Sequence, residues 1–402
     1  MLVSWKDTSV IEERRCFIRD HARGLECVTE LCHRYGVSRQ TGHKWIRRYE
    51  DEGVRGLKDR SRRPLSCSHS VPEPVVRELL ETRKRHPTWG ARKLLTLIRR
   101  KHPDWHLPST STAHEVIKRA GLVKKRRRSL RRDHPGRPLT PMDRPNVVWS
   151  ADFKGQFKTL DGLYVYPLTI QDGYSRFLIA VHGMLGPKLE PTKAAFMRAF
   201  RTYGLPDRIR TDNGVPFAAN SLGRLSRLSV WWIRLGITPE FIEPGKPQQN
   251  GRHERMHRTL KRDTALPPKK NRLVQQRRFN SFRSEFNTER PHEALGQRTP
   301  DELYYVSERR LPNHLPPPDY PAHYEVRKVS SNGGIRWANH WVNVSHILGG
   351  EFIGLTEIDD GLWHVYFGTH LLGYLHDRLG KVEDKAGFIS RHNRKLSAMS
   401  PD

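Results

Sequence analysis

Residues 146–183 read NVVWSADFKGQFKTLDGLYVYPLTIQDGYSRFLIAVHG. Three runs rich in Val, Ile, Tyr, Phe and Trp, at 147–153, 164–171 and 176–183, are separated by Asp161-Gly162 and Asp172-Gly173. Dipeptides of this kind reverse a chain, so the segment predicts a three-strand meander. Working outward, the pattern predicts a helix at 191–203, a short strand at 208–211, a helix at 221–235, a strand at 239–242 and a long helix from about 251. That order predicts an α/β unit on a mixed five-stranded sheet.

The same segment holds the first of three unusual acids. Asp152 lies in a strand flanked by Val147, Val148, Trp149 and Phe153, where a bare carboxylate costs stability unless opposite charge is supplied. Asp212 follows the fourth strand at Asn213-Gly214, and Glu254 opens the helix fed by Gly251. Each has an ordinary role available: Asp212 suits any turn, and Glu254 with Arg258 has the spacing of a surface ion pair. Together, in a chain of net charge +29, they read as a divalent-metal site. Mg²⁺ is the expected ion, in a pair that activates an attacking oxygen and stabilises a leaving one.

The 402 residues allow several domains, and the hydrophobic fraction of 36% allows modest cores. Basic residues cluster in runs, which points to a polyanion, nucleic acid before membrane surface. Four cysteines without metal or disulfide spacing indicate reduced thiols. No signal core or apolar span is present, so a cytoplasmic location and no membrane association are expected.

N-terminal to the sheet, residues 26–50 carry helical periodicity, then Tyr35-Gly36-Val37 and Ser38 as an N-cap. This is a helix-turn-helix pattern that would present Arg39, Gln40, His43 and Lys44 to base edges while Trp45 and Ile46 face inward. An ordinary helical hairpin is the competing reading. The basic loop after it includes Arg62 and Arg63, placed on DNA phosphates. Residues 72–123 predict a second helix-turn-helix, winged in one version, with Trp89 as a core aromatic. The following linker carries Lys124, Lys125, Arg126, Arg127, Arg128, Arg131 and Arg132, expected to track the DNA backbone. Past Pro300 a helical piece and a Pro-rich connector precede short strands at 324–375, read as a small β-barrel. The expected domains are 1–66, 67–123, a linker at 124–146, a core at 147–305 and a C-terminal domain at 306–402.

Asp152, then Thr211-Asp212-Asn213-Gly214, then Gln248-Gln249-Asn250-Gly251 with Glu254 resemble the integrase catalytic core of DDE transposases and retroviral-type integrases. The wider plan resembles bacterial insertion-sequence transposases, so the likeness spans nearly the whole chain. It implies a ribonuclease-H-like core, Mg²⁺ or Mn²⁺ at Asp152, Asp212 and Glu254, hydrolysis at the ends of a mobile element, and attack of the freed 3′ hydroxyl on target DNA. It also implies Asn213 and a mobile loop of Gln248, Gln249 and Asn250 touching DNA, and a homo-oligomer, dimer or tetramer, bringing together terminal inverted repeats and target without a small-molecule substrate. Two departures stand out: the interval from Asp212 to Glu254 is longer than in retroviral integrases, which implies an insertion around Trp231-Trp232, and a retroviral zinc-binding N-terminus is missing. On the Glu254 helix, Arg258 and Lys261 share the acid's face and are assigned to phosphates. The alternatives are a catalytically inactive DNA-binding regulator derived from a transposase and a nuclease of the same fold that cuts without joining.

Overall fold

The computed structural model describes residues 9–61, 70–123, 139–315 and 317–384. Two compact units, Met1–Ser70 and Val71–Asp402, divide the chain.

In the first unit α1 (Val10–Ala22), α2 (Val28–Arg34) and α3 (Arg39–Glu52) enclose Phe17, Leu31, Cys32, Trp45 and Leu57. Ser38 starts α3 as expected, its hydroxyl accepting from the Thr41 amide at 3.2 Å. Gly42 lets α3 sit close on α2, because a Cβ there would run into Cys32 Sγ.

The second unit begins with α4 (Glu73–Arg85), α5 (Ala91–Lys101) and α6 (Thr110–Arg119), packed around Leu79, Trp89, Leu94, Ile98 and Ile117. Trp89 is a core residue, 1% exposed and stacked on His86. No strand occurs among the described residues 70–123, so the winged version is not found there.

The α/β core contains β1 (Val148–Phe153), β2 (Phe157–Lys158), β3 (Tyr164–Asp172), β4 (Leu178–Met184), α7 (Leu189–Tyr203), β5 (Arg208–Thr211), α8 (Arg227–Arg234), β6 (Thr238–Phe241), α9 (Gly251–Leu260) and α10 (Arg272–Ser284). Its strands run β4-β3-β1-β5-β6, with the two-residue β2 also pairing β3. The meander β1, β3, β4 is antiparallel, and β5 and β6 continue parallel to β1. This is the mixed-sheet order of a ribonuclease-H-like core. One face is sealed by Trp149, Ile170, Phe196, Phe200 and Trp232. The other is covered by α9 and α10 through Met256, Leu260, Phe279 and Phe282 against Val165, Leu178 and Val181. Burying each such side chain contributes about 1.5–3 kcal/mol, which is why the two helices stay on the sheet despite their many cations.

The C-terminal strands are β7 (Glu325–Lys328), β8 (Gly334–Trp337), β9 (His340–Asn343), β10 (Phe352–Asp359), β11 (Leu362–Phe367), β12 (His370–His376) and β13 (Lys381–Asp384). They correct the barrel expectation. An antiparallel sheet ordered β13-β12-β11-β10-β7 and a separate β8-β9 hairpin form, and the described ladder does not close. The alternating apolar residues are satisfied without closure, since Ile353, Leu355, Val365 and Phe367 pack on the hairpin's Ile335 and Val342 and on Val230 and Ile233 of α8. That double duty explains the Trp231-Trp232 segment: α8 shows Trp232 to the α/β core and Val230 and Ile233 to the C-terminal sheet, so nearly its whole circumference is apolar. The helical piece expected after Pro300 is only a turn at 301–303.

Candidate active site

β1 and β5 bring the first two acids together by register. Their parallel ladder pairs Ser150 with Arg210, and Asp152 and Asp212 each lie two residues further on. Asp212 falls in the turn after β5, its carboxylate accepting from the Gly214 amide at 3.2 Å. α9 crosses this edge and carries Glu254.

A cavity of about 440 Å³ opens between β1 and α9, lined by Asp152, Lys154, Glu254, His257, Arg258 and Lys261 among others. Asp212 is not in its lining and reaches Asp152 through the electrostatic field. Burial pushes the Asp152 carboxyl up to about 7, and the charges of Asp212 and Glu254 push the same way. Asp212 is also raised, again by burial, against the hydrogen bond from Gly214.

The inner face of α9 is held by a polar contact that the sequence did not announce. Thr169 on β3 is the register partner of Asp152. Its hydroxyl lies 3.1 Å from the Asp152 carbonyl, 2.7 Å from His253 Nε2 and 2.6 Å from His257 Nε2. A hydroxyl has one proton and two lone pairs; donating to the carbonyl, it accepts from both imidazoles. Burial holds both rings neutral, with His253 pushed down to about 3 and His257 well below the ordinary histidine range. His257 Nδ1 then turns a lone pair toward Asp152 Oδ2, 3.6 Å away. The signal available in the sequence was the spacing of His253 and His257, one α-helical turn apart on the buried face.

Donor chemistry at this edge suits a hard divalent cation, since the acids offer carboxylate oxygens from three separate elements. Among the described residues no three His, Cys, Asp or Glu side chains form a ready coordination sphere, so the acids are neighbours short of convergence.

Other expected residues are placed as follows. Arg258 and Lys261 are exposed and share the cavity with Glu254, and no ion pair links Glu254 to Arg258 among the described residues. Asn213 is exposed, giving its Nδ2 to the Ile242 carbonyl and accepting from Arg224. The segment expected as a mobile polar loop is instead a 3₁₀ turn, Pro247–Asn250, which buries Gln249 and Asn250. Gln249 is committed inward because its amide pairs with Glu243 at both the backbone and the carboxylate; Gln248 is half-buried. On α3, Arg39, Gln40, His43 and Lys44 are exposed in a row while Trp45 is buried. Arg62, Arg63, Lys124, Lys125, Arg126, Arg127, Arg128, Arg131 and Arg132 lie outside the described residues.

The geometry agrees with comparisons to known proteins. Residues 142–247 and 235–300 match family models described as integrase core domains, residues 13–64 a helix-turn-helix domain, and residues 41–117 a homeodomain-like domain. The chain is 27% identical over 240 residues to the insertion element IS407 uncharacterized 31.7 kDa protein of Burkholderia multivorans, covering 58% of this chain and 80% of that one. It is 25% identical over 287 residues to the transposase InsD of insertion element IS2 of Escherichia coli, covering 68% and 88%. Among solved structures, the integrase catalytic core domain of HTLV-2 in complex with magnesium aligns at 18% identity and a TM-score of 0.33, over 41% of this chain and all of that one. With helix-turn-helix and integrase core domains in sequence, and insertion-element proteins as relatives over most of their length, the chain is similar to the DDE transposases of bacterial insertion sequences, a likeness that supports a part in DNA transposition.

Proposed function

We propose that this chain is a transposase that binds the terminal inverted repeats of its element, cleaves DNA at their ends and joins the 3′ hydroxyl to target DNA. The observation that carries the reading is the shared edge of the sheet: Asp152, Asp212 and Glu254 arrive there from β1, the β5 turn and α9, beside a cavity whose other charged lining is cationic. The three acids would hold Mg²⁺, or Mn²⁺ in its place, as a pair of ions that when bound supplies charge to activate the attacking oxygen and steady the leaving one. Arg258 and Lys261 hold backbone phosphates beside the acids, and Lys154 adds positive charge at the end of β1. The Thr169, His253 and His257 cluster keeps α9, and so Glu254, in fixed relation to β1. Exposed residues of α3 read base edges of the repeat, with phosphate contacts setting the register. Two ends must meet at one target, so the working form is a homo-oligomer on DNA, and it acts in the bacterial nucleoid.

A strand-transfer assay tests this, using a labelled duplex from the flanking terminal repeat, a supercoiled plasmid and Mg²⁺, with Glu254→Gln beside wild type. Joined product from wild type alone is expected. Binding of the end by both proteins with neither nicking nor joining would favour a DNA-binding regulator, and hydrolysis without joining would favour a nuclease.

A further inference from the structure

On the other flank of α9 lies a second cavity, of about 500 Å³, whose lining contains seven arginines and one lysine against a single acid, Glu293. The acid is already engaged, pairing with Arg92 at 2.7 Å. Lys93, Arg255 and Arg258 have no ion pair among the described residues. Arg290 is 8% exposed, lies over the Trp89 and Phe286 rings, and among the described residues makes one long ion pair, to Asp263 at 3.5 Å, which Arg262 shares. Like charges packed this closely repel. Burial together with Arg290 and Arg262 pushes the Lys93 ammonium down to about 7, and burial with Arg252 and Arg255 pushes Arg176 down to about 10. A cavity holding eight cations against so few acids is stabilised further when an anion is supplied from outside.

Two features identify that anion. Guanidinium groups predominate, and their planar forks suit phosphate oxygens. α5 also begins at this cavity, with Gly90 as an N-cap that supplies no side-chain acceptor, so the positive end of the helix lies beside the same space. Eight cations exceed what one small anion engages, which favours a backbone carrying several phosphates. Arg258 on α9 and Arg262 just past its end line this cavity and the carboxylate cavity alike, which connects the two.

We propose that this cavity, built jointly by α5, α9 and the segment after α10, is a phosphodiester-binding site that carries the DNA strand onward from the carboxylate edge, with Lys93, Arg176, Arg255 and Arg290 as its new contacts. The proposal rests on the DNA-joining reading above and extends it to a path. It gives the second helical unit a role besides recognition, since Thr88, Gly90, Arg92 and Lys93 form one wall. Polar contacts hold that wall to the core: the His86 ring sits between the carboxylates of Glu285 and Glu289 at 3.3 and 3.2 Å, and Arg100 forms an ion pair with Glu302 at 2.7 Å.

The test is the salt dependence of binding, measured by fluorescence anisotropy of the full-length protein with a duplex oligonucleotide of arbitrary sequence, because phosphate contacts ignore sequence. Lys93→Ala and Arg255→Ala are each expected to flatten the plot of log affinity against log salt by roughly 0.9 for each phosphate that is no longer neutralised, whereas Lys93→Arg keeps the wild-type slope. Thermal melts of all variants identify any loss of fold, and Lys93→Arg controls for packing. Wild-type slopes in both alanine variants would overturn the path. Joining by wild type and not by Glu254→Gln, with all slopes unchanged, would overturn it while leaving the catalytic reading intact. Flattened slopes in a protein that never joins ends would leave the path standing and remove the chemistry.

Discussion

Thr169 stands directly opposite Asp152 in the β3–β1 ladder, and its hydroxyl bonds both the Asp152 carbonyl and the two imidazoles of α9. One small side chain thus couples the strand bearing the first acid to the helix bearing the third. Thr169→Val preserves shape and removes the hydroxyl, leaving three buried polar groups short of a partner. The expected loss is on the order of 1–3 kcal/mol in urea denaturation, with joining reduced more than DNA binding. Unchanged joining in a well-folded variant would show that Glu254 is positioned by other contacts.

Asp172 closes the meander from inside. Fully buried, it accepts from the Asn146 amide at 2.8 Å, the Ser175 amide at 2.8 Å and the Ser175 hydroxyl at 2.6 Å, and burial raises its carboxyl above the usual range. Asp172→Ala strands three donors and should cost on the order of 3 kcal/mol, whereas Asp172→Asn retains an acceptor and should cost less. Equal midpoints for the two variants in urea would show that the acceptor role is unimportant.

Gln40 is exposed on the first turn of α3, where a recognition helix meets bases. Gln40→Ala should reduce discrimination at one base pair of the terminal repeat by about 1–3 kcal/mol and leave binding to an arbitrary duplex nearly unchanged. A competition assay against single-base variants of the repeat measures this. Equal weakening on every sequence would reassign Gln40 to the backbone.

His182 on β4 is pushed down to about 4 by burial and by the charges of Arg198 and Arg283. In the unfolded chain a histidine titrates near 6.5, so between these values the unfolded state holds more protons. Stability therefore is full above about 6.5 and falls as pH drops toward 4. The contribution is on the order of 1–2 kcal/mol at pH 5, and His182→Gln should shrink the difference between denaturation midpoints at pH 7.5 and pH 5. An undiminished difference would assign the acid sensitivity to the other buried rings, such as His292.

Local pattern carries far in this chain. Asp161-Gly162 and Asp172-Gly173 mark the meander, and Ser38 caps α3 where its position implies. The face shared by Glu254, Arg258 and Lys261 follows from helical spacing and reappears as one cavity lining. The exposed, basic start of α3 is legible because Trp45 has to turn inward. The barrel expectation fails because alternating apolar strands say that a second layer exists without saying what supplies it; here it is a hairpin and α8. Gln249 resembles loop surface for a related reason: its inward turn depends on the Glu243 amide and carboxylate just past β6, a pairing that periodicity does not encode.

The sequence by itself determined the element order, the strand that holds Asp152, the turn that holds Asp212 and the helix that holds Glu254, because turn chemistry and periodicity act between residues close along the chain. Only the tertiary structure decided that Thr169 ties β1 to α9 and that Lys93, Arg176 and Arg290 meet around one cavity. Those encounters join segments on different elements, and they are settled by how apolar faces stack and where burial leaves charge without a partner, neither of which is written in any single stretch of residues.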